Sequence, residues 1–218
     1  MTASKKDTRA RILRAATKMF FHEGYGRVTS RSISDYLGIS PGNLTYYFPT
    51  KEHILAVIVE MLCDFQAGMM DKELGEGMSP LHAYLMELTA MASASAENEL
   101  MREFYIFTYT HPMTLEIIRC NDTKKAKAVF SPFCPHWSDD DFAAAEEIVS
   151  GIEYAILMTS GSTVDMQSRI ALALQSVMKI YNVPDGQSQE LLSKVMATNY
   201  RDVGNRIVGE FLEYLERV

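Results

Sequence analysis

The stretch TSRSISDYLGISPGNLTYYFPTKEHIL, residues 29–55, contains two short helical patterns that are joined by one glycine. Thr29 and Ser40 each precede one of these patterns, and a hydroxyl at such a position accepts a hydrogen bond from the first helical turn. Gly38 lies between the patterns and can adopt the positive φ that a tight turn requires. Pro41 takes the first position of the second helix, where no amide is needed. The stretch therefore predicts a helix-turn-helix.

The polar side of the second helix is predicted to face outwards, because Leu44 and Tyr47 hold its other side against the first helix and Ile39 fills the corner between them. A helix in the major groove reads bases mainly with its N-terminal residues. Asn43 can donate to and accept from an adenine edge, and Thr45 can contact a thymine methyl group or a phosphate. Free amides at a helix start, and a lysine such as Lys51 beside one, suit phosphates. The predicted DNA-binding residues are Thr29, Arg31, Ser40, Pro41, Gly42, Asn43, Thr45, Tyr46, Tyr47 and Lys51.

Charge is distributed unevenly along the chain. The first 51 residues carry nine lysines and arginines against three acidic side chains, whereas the rest of the chain carries twelve basic and twenty-five acidic ones. A basic segment next to an acidic one suits a protein that presents one end to a polyanion. The overall net charge of −7 therefore does not argue against binding to nucleic acid.

Helical signals continue to the C terminus, and the alternation typical of strands is scarce. We therefore predict an all-α fold. It comprises an N-terminal three-helix, helix-turn-helix DNA-binding domain at residues 1–51 and a larger helical effector-binding and dimerisation domain at residues 52–218. Apolar residues at steps of three and four predict that the last helix is one long element from about residue 188 to residue 217, after a turn at residues 184–186.

The run ISPGNLTYYFPTKEHIL, residues 39–55, resembles the signature of the tetracycline-repressor (TetR) family. That signature is a glycine turn, a helix of the form Gly-x-Leu/Ile-Tyr-x-His/Tyr-Phe, and then a lysine and a leucine at the start of the fourth helix. Two upstream segments also match it, RILRAA at residues 11–16 and FFHEGY at residues 20–25. The similarity covers residues 7–60.

The resemblance implies a ligand-responsive transcriptional regulator, expected to be a repressor. Members of the family are all-helical homodimers that pair two C-terminal helices of each subunit in a four-helix bundle and bind a palindromic double-stranded operator. A small effector, expected here to be apolar or aromatic, binds inside the body, moves the fourth helix and spreads the two heads. Thr45 departs from the pattern, since the family usually has a tyrosine there that contacts the DNA backbone. Either that contact is lost here, or Tyr46 or Tyr47 makes it instead.

The part of the chain beyond the helix-turn-helix holds most of the 14 methionines and many aromatic residues. Methionine adapts well to irregular apolar ligands, although the same residues also fill ordinary helical cores. The candidate ligand-binding residues are Met61, Phe65, Met69, Met86, Met91, Phe104, Tyr105, Phe107, Tyr109, His111, Met113, Trp137, Tyr154 and Met158. Polar groups that can orient a ligand are Arg102, Tyr105, His111, Asn121 and Tyr154.

Dimerisation is predicted through two helices, at about residues 139–160 and 165–182. The first has small and branched residues suited to close packing, namely Ala144, Ile148, Gly151, Ile152 and Ala155. On the second, the predicted partner face comprises Ile170, Leu174, Val177 and Met178. The apolar stripe of the last helix competes for this role, and the sequence does not decide between them.

Two other functions remain as alternatives. An enzyme on a helical bundle would carry a nucleophile elbow, a phosphate loop or paired histidine ligands, and the sequence contains none of these, so no catalysis and no cofactor are expected. A nucleic-acid protein without sequence preference would bind all duplexes alike. Cys63, Cys120 and Cys134 are far apart and fit no paired zinc spacing, which predicts reduced thiols and no metal. The polar start of the chain predicts a cytoplasmic protein without a membrane segment.

Overall fold

The computed structural model describes residues 5–158 and 163–217. These ranges form eleven α-helices and contain no strand, which confirms the predicted all-α fold. In chain order the helices are α1 Lys5–Glu23, α2 Ser30–Leu37, α3 Pro41–Tyr47, α4 Lys51–Gly75, α5 Pro80–Glu97, α6 Glu99–Thr110, α7 Pro112–Phe130, α8 Asp139–Met158, α9 Met166–Ile180, α10 Asp185–Ala197 and α11 Tyr200–Arg217. We call α1–α3 the head and α4–α11 the body. The predicted end of α8 near residue 160 lies outside the described residues.

The helix-turn-helix of the head is held together by the caps and apolar contacts that the sequence predicts. Ile33 of α2 and Leu44 of α3 are completely buried against each other's helices and α1. Gly38 follows α2 with a φ of 64°, so the turn uses the left-handed conformation that glycine adopts without strain. Ile39 plugs the corner, half-buried, and its N–H donates to the carbonyl oxygen of Ser34 over 3.1 Å. These contacts fix the angle between α2 and α3.

One apolar core is shared by the head and the body. Phe21 of α1 packs against Phe104 of α6, with ring centroids 4.8 Å apart, and against Phe211 of α11. Ile54 and Ile58 of α4 are buried in the same cluster. Because α4 begins in the head and continues into the body, the predicted boundary at residues 51 and 52 stays a prediction.

A second apolar cluster lies farther from the head, among α5 and α7–α10. Its centre is an aromatic group in which Phe130 and Tyr181 stack with centroids 4.1 Å apart. Trp137 packs edge-on against Phe142 beside this pair. The second cluster therefore supports the side of the body that is remote from the helix-turn-helix.

The predicted single C-terminal helix is wrong, because the chain breaks into α10 and α11. Thr198 is extended, with φ −78° and ψ 143°, and so ends α10. The side-chain amide of Asn199, the residue before α11, donates to the carboxylate of Asp202 over 2.6 Å. The apolar spacing continues across the break, and periodicity alone does not reveal it. Asp185, placed in a predicted turn, is the first residue of α10.

The two predicted dimerisation faces differ in their exposure to solvent. On α8, Ala144, Ile148, Gly151 and Ala155 are all exposed along one side, and Ile152 is half-buried. The face assigned to α9 is wrong, because Ile170, Leu174, Val177 and Met178 are at most 1% exposed inside the second cluster of their own chain. The exposed apolar side chain on α9 is Leu172.

The last helix packs on its own body. Phe211 and Leu215 of α11 are buried in the first cluster, and Gly204 approaches α5 so closely that a Cβ there would lie 3.0 Å from Ser93. The apolar stripe of α11 therefore covers the body, which is one of the two roles that the sequence left open for it. The side chain of Val203, part of the predicted stripe, is outside the described residues.

Among the described residues, α4 is the helix whose length and composition would allow it to cross a membrane. In this fold it packs against α1, α5, α7 and α11. Such packing is that of a core helix in a globular protein.

Candidate nucleic-acid interface and effector cavity

Helix α3 presents a polar surface to solvent. The Ser40 hydroxyl accepts a hydrogen bond from the amide of Asn43 over 3.1 Å and thereby caps the helix start. Pro41 is at the first helical position. Five of the predicted DNA-binding residues are exposed on this helix, namely Pro41, Gly42, Asn43, Thr45 and Tyr46. Leu44 points into the core, so α3 can enter a groove without losing its support.

The start of α2 is fixed by a reciprocal cap. The Thr29 hydroxyl accepts from the amide of Ser32 over 3.0 Å, and the Ser32 hydroxyl accepts from the amide of Thr29 over 2.9 Å. Thr29 is predicted from the sequence as a cap, whereas Ser32 is not, although a hydroxyl three residues after a cap is the pattern that indicates a reciprocal cap. Arg31 is exposed and lies 3.9 Å from Asp35, so its guanidinium remains accessible to a phosphate.

The aromatic side chains around α3 differ in exposure. Tyr46 is 65% exposed, and its ring meets the half-buried Tyr47 edge-on at 5.0 Å. The Thr45 hydroxyl donates to the carbonyl oxygen of Gly42 over 3.2 Å. Tyr36 of α2, which the sequence analysis did not select, is 58% exposed. Tyr46 is therefore the side chain best placed to supply the backbone contact for which Thr45 is too short.

Lys51 has a structural partner that the sequence did not reveal. Its Nζ donates to the carbonyl oxygens of Tyr25 (3.1 Å) and Val28 (3.0 Å) and lies 4.2 Å from the centre of the Tyr25 ring. Tyr25 in turn donates to Glu52 over 3.2 Å. Lys51 thus ties the loop before α2 to the start of α4. Its predicted contact with phosphate stays a prediction, and this tie is a second role.

A carboxylate from the body binds the turn after α1. The amide of Gly26 donates to Oε1 of Glu103, on α6, over 2.8 Å. The contact is tight, since a Cβ at Gly24 would lie 2.4 Å from Oε2 and one at Gly26 would lie 2.7 Å from Oε1. Phe107, one turn further along α6, packs against Tyr25 with centroids 4.6 Å apart. We call this contact of Glu103 and Phe107 with residues 24–26 the latch.

The body contains an apolar cleft between α4, α5, α6 and α11. It measures about 640 Å³ including its mouth to solvent. Its lining residues are Leu62, Phe65, Gln66, Met69, Met70, Ala83, Met86, Glu87, Ala90, Met91, Ala94, Met101, Tyr105, Ile207, Val208 and Phe211. Most of these are aliphatic, aromatic or thioether side chains, which is typical of small-molecule sites.

A second cavity, which we call the inner chamber, measures about 440 Å³ including its opening to solvent, adjoins the cleft and shares Leu62, Gln66, Glu87, Met91 and Tyr105 with it. The inner chamber is polar. Nζ of Lys125 pairs with Oε1 of Glu87 at 2.6 Å and with Oδ1 of Asp122 at 3.2 Å. Tyr109 donates to Oε2 of Glu153 over 2.8 Å. The sequence analysis selected Tyr105 and Tyr109 but none of the charged residues.

Burial changes the acid–base properties of these groups. Burial raises the pKa of Glu153 well above its ordinary value, and the nearby Asp122 and Glu146 raise it further. Burial lowers the pKa of Lys125, but Glu87 and Asp122 outweigh this, and the pKa lies above its ordinary value. Lys125 is therefore charged at neutral pH, whereas burial favours the protonated form of the Glu153 carboxyl.

Only some of the predicted ligand-binding residues line the two cavities. Phe65, Met69, Met86, Met91 and Tyr105 line the cleft, and Tyr109 lines the inner chamber. The other predicted residues lie outside these two cavities. Five of them pack elsewhere in the core: Phe104 and Phe107 against the head, Met61 and Tyr154 on the first cluster, and Trp137 in the second cluster. Met113 is exposed, His111 precedes α7, and Met158 ends α8. Of the predicted orienting groups, Arg102, Asn121, His111 and Tyr154 are also absent from both linings.

A capped helix-turn-helix with an exposed reading helix, attached to a helical body with internal cavities, defines a DNA-binding transcriptional regulator. Residues 12–58 match the family model described as bacterial regulatory proteins, tetR family. This segment of the chain is therefore a tetR-family helix-turn-helix domain, as the resemblance predicts. A comparison with curated protein sequences gives no match.

Solved structures share this fold at low identity. RolR in complex with resorcinol is 20% identical with a TM-score of 0.66, and the match covers 87% of this chain and 94% of RolR. RolR without ligand is 19% identical with a TM-score of 0.63, covering 84% and 96% of the two chains. CprB of S. coelicolor A3(2) is 18% identical with a TM-score of 0.49, covering 88% and 97%. At these identities the two RolR matches show a shared fold and nothing more.

Proposed function

We propose that this chain is a cytoplasmic, ligand-responsive repressor that binds a palindromic operator as a homodimer and is released when a small effector occupies the body. The observation that carries the proposal is the exposed polar side of α3, held over a glycine turn in the most basic part of the chain. Asn43 is the residue expected to read a base, and Tyr46 and Arg31 are expected to hold phosphates. TetR-family regulators are not enzymes, and we assign this chain no reaction.

The dimer is proposed to form through the exposed sides of α8 and α9. Ile148 is 61% exposed, and Gly151 and Ala155 follow it on the same side of α8. Leu172, 65% exposed, adds an apolar side chain on α9. Large exposed aliphatic side chains beside small residues suit the close packing of two helices. A symmetric dimer of this kind calls for an operator with two half-sites.

Sedimentation velocity tests this interface. Ile148→Glu should convert the dimer to a monomer, since a charge would be buried against its symmetry mate. Met113→Glu, which places the same charge on a 36% exposed methionine of α7, should leave the dimer intact. Equal dimerisation of both variants would rule out the α8 surface.

The effector is proposed to enter the apolar cleft. RolR, which shares the fold of this chain, binds resorcinol in one of its solved structures. Release from DNA requires that the effector bind the conformation unable to span two half-sites more tightly than the competent one. The cleft and the head are linked by α4 and α6, each of which contacts both.

Selection from a pool of random duplexes tests the repressor proposal. A palindrome should be enriched, and its affinity should exceed that of a scrambled duplex by a factor of at least about 10³. Asn43→Ala should relax preference at one position in each half-site, whereas Arg31→Ala should weaken all duplexes and lower the salt dependence. Equal binding to every duplex would leave a non-specific nucleic-acid protein and refute the proposal.

A further inference from the structure

The inner chamber is lined by more negative than positive side chains. Glu87, Asp122 and Glu153 contribute three carboxyl groups from α5, α7 and α8, and Lys125 is the cation among the described lining residues. Lys125 is already bound to Glu87 and Asp122. Glu153, only 4% exposed, receives its hydrogen bond from Tyr109, an uncharged donor. The chamber therefore has a buried carboxyl group with no cation of its own bound to it in the described structure.

A second observation is a buried hydroxyl group in the same chamber whose hydrogen-bonding capacity is unsatisfied. The Tyr84 hydroxyl lines the same chamber, its residue is 2% exposed, and the oxygen has no hydrogen-bond partner among the described residues. A buried hydroxyl without a partner is unfavourable, because it has lost water and gained nothing in exchange. Tyr84 is held in place by Phe130, with ring centroids 5.1 Å apart, so it does not simply turn to solvent. A ligand that reached this hydroxyl would satisfy it.

We propose that the effector is an amphipathic amine, whose ammonium group binds between Glu153 and Tyr84 while its apolar part lies in the cleft. This inference rests on the proposed function of the body as an effector site. The two cavities adjoin, since Leu62, Gln66 and Met91 line both, so the head group of a ligand in the cleft lies next to the chamber. An ammonium group supplies the positive charge and the hydrogen-bond donors that the chamber lacks. A carboxylate would face three acidic side chains and is disfavoured.

Ionisation of Glu153 provides a distinct signature. Burial raises the pKa of the Glu153 carboxyl and so favours its protonated form, whereas an ammonium group beside it would favour the ionised form and the loss of a proton. Amine binding should therefore release up to one proton to the buffer, whereas binding of an uncharged analogue should release none. The titratable and charged groups that surround Glu153 and share this response are Tyr84 and Glu87 on α5, Tyr105 and Tyr109 on α6, Asp122 and Lys125 on α7, Glu146 on α8 and Cys63 on α4.

Calorimetry with three matched probes tests the inference on the full chain without DNA. Phenylbutylamine, phenylbutanol and phenylbutyrate share an apolar part and differ in the head group. The amine should bind at least about tenfold more tightly than the alcohol, as a charged hydrogen bond predicts, and the carboxylate should bind most weakly. Repeating the titration in buffers of different ionisation enthalpy measures the released proton. Equal binding of amine and alcohol, tightest binding of the carboxylate, or no binding of the amine would each overturn the inference.

Two variants locate the head group. Glu153→Gln keeps the size and the acceptor for Tyr109, so it should weaken the amine by about tenfold and abolish proton release while leaving the alcohol unchanged. Tyr84→Phe should weaken both probes by a similar smaller factor, about threefold. Glu147→Gln, an exposed change on the same helix, should alter neither. Unchanged amine binding in Glu153→Gln would overturn the assignment.

The outcome is separable from the wider proposal. If the amine series behaves as expected but the amine does not dissociate the selected palindrome, the head-group inference stands and effector release fails. If no palindrome is selected while amine selectivity is observed, the repressor function fails alone.

Discussion

Replacing Glu103 with alanine removes the carboxylate through which the body holds the turn after α1. The hydrogen bond from Gly26 is 2.8 Å long and has a charged acceptor, and such bonds contribute about 1.5–3 kcal/mol when protected from water. Gly26 is exposed, so its amide can be hydrated when the acceptor is lost. We therefore expect the free energy of unfolding to fall by about 1 kcal/mol.

The same loss should be visible in DNA binding. If the latch sets the position of the head before DNA arrives, a loss of about 1 kcal/mol corresponds to roughly fivefold weaker binding to the selected palindrome. Urea denaturation gives the stability and fluorescence anisotropy with a labelled duplex gives the affinity. Glu99→Ala is the control, because Glu99 is exposed on the same helix and lies 3.6 Å from Arg102, so it should change stability by at most a few tenths of a kcal/mol.

A double-mutant cycle isolates the latch. Gly26→Ala introduces a Cβ that would lie 2.7 Å from the Glu103 carboxylate, so it should weaken both stability and DNA binding in the presence of Glu103. Once Glu103 is alanine, the obstructing oxygen is gone and the second substitution should cost little. The two effects should therefore be strongly non-additive. Additive effects, or wild-type affinity in Glu103→Ala, would refute the view that this contact positions the head.

Three further predictions concern separate parts of the chain. Lys51→Met should lower the free energy of unfolding by about 1–3 kcal/mol, since it removes two hydrogen bonds to carbonyl groups. If the variant binds DNA more weakly but is as stable in urea as the wild type, Lys51 contacts phosphate and has no structural role. Gly38→Ala should lower the free energy of unfolding by about 1–2 kcal/mol, because the residue has a φ of 64°, and the open space around it does not relieve that strain. Gly42→Ala, within α3, should instead raise the free energy of unfolding slightly, so equal effects of the two substitutions in thermal unfolding would contradict this reasoning. Burial raises the pKa of Glu146 from 4.5 to about 7, so the folded chain retains a proton that the unfolded chain releases, and stability should fall by on the order of 1–3 kcal/mol between about pH 4.5 and pH 7. Glu146→Gln should flatten that part of the pH profile measured by urea denaturation, and an unchanged slope would assign it to other groups.

The head could be predicted from the sequence because its determinants are local. The caps at Thr29 and Ser40 bond to amides three residues away, and the positive φ of Gly38 follows from its place between two short helices. The exposure of Asn43 and Tyr46 then follows from the helical period once Leu44 is assigned to the core. In such a segment each residue type already indicates its own backbone conformation.

The inner chamber could not be predicted in this way. Tyr109 and Glu153 are 44 residues apart, and Glu87 and Lys125 are 38 apart, so no spacing rule links them. An isolated acid in a helical pattern indicates an exposed side chain, which is the usual outcome. The expectation of a mostly apolar site is accordingly accurate for the cleft but omits the charged chamber beside it.

Periodicity also fails to say which partner an apolar face meets. The stripe of Ile170, Leu174 and Val177 has the spacing of an interface, yet it packs within the chain. The spacing shows only that the face is buried. The exposure of Ile148 and Leu172, in turn, depends on where the neighbouring helices pack, so only the structure distinguishes these two residues from core residues.

Helix α6 joins the two halves of the proposed mechanism because it has a different task on each side. Met101 and Tyr105 line the cleft, whereas Glu103 and Phe107 contact the turn of the head. A ligand that rotates or shifts this helix must disturb both sets of contacts at once, since a helix moves as one body. The Glu103 hydrogen bond of the latch can transmit no more free energy than it contributes, about 1 kcal/mol or roughly fivefold in affinity. Stronger release therefore requires α4, which lines both cavities with Leu62 and begins at Lys51 against the head, to move with α6.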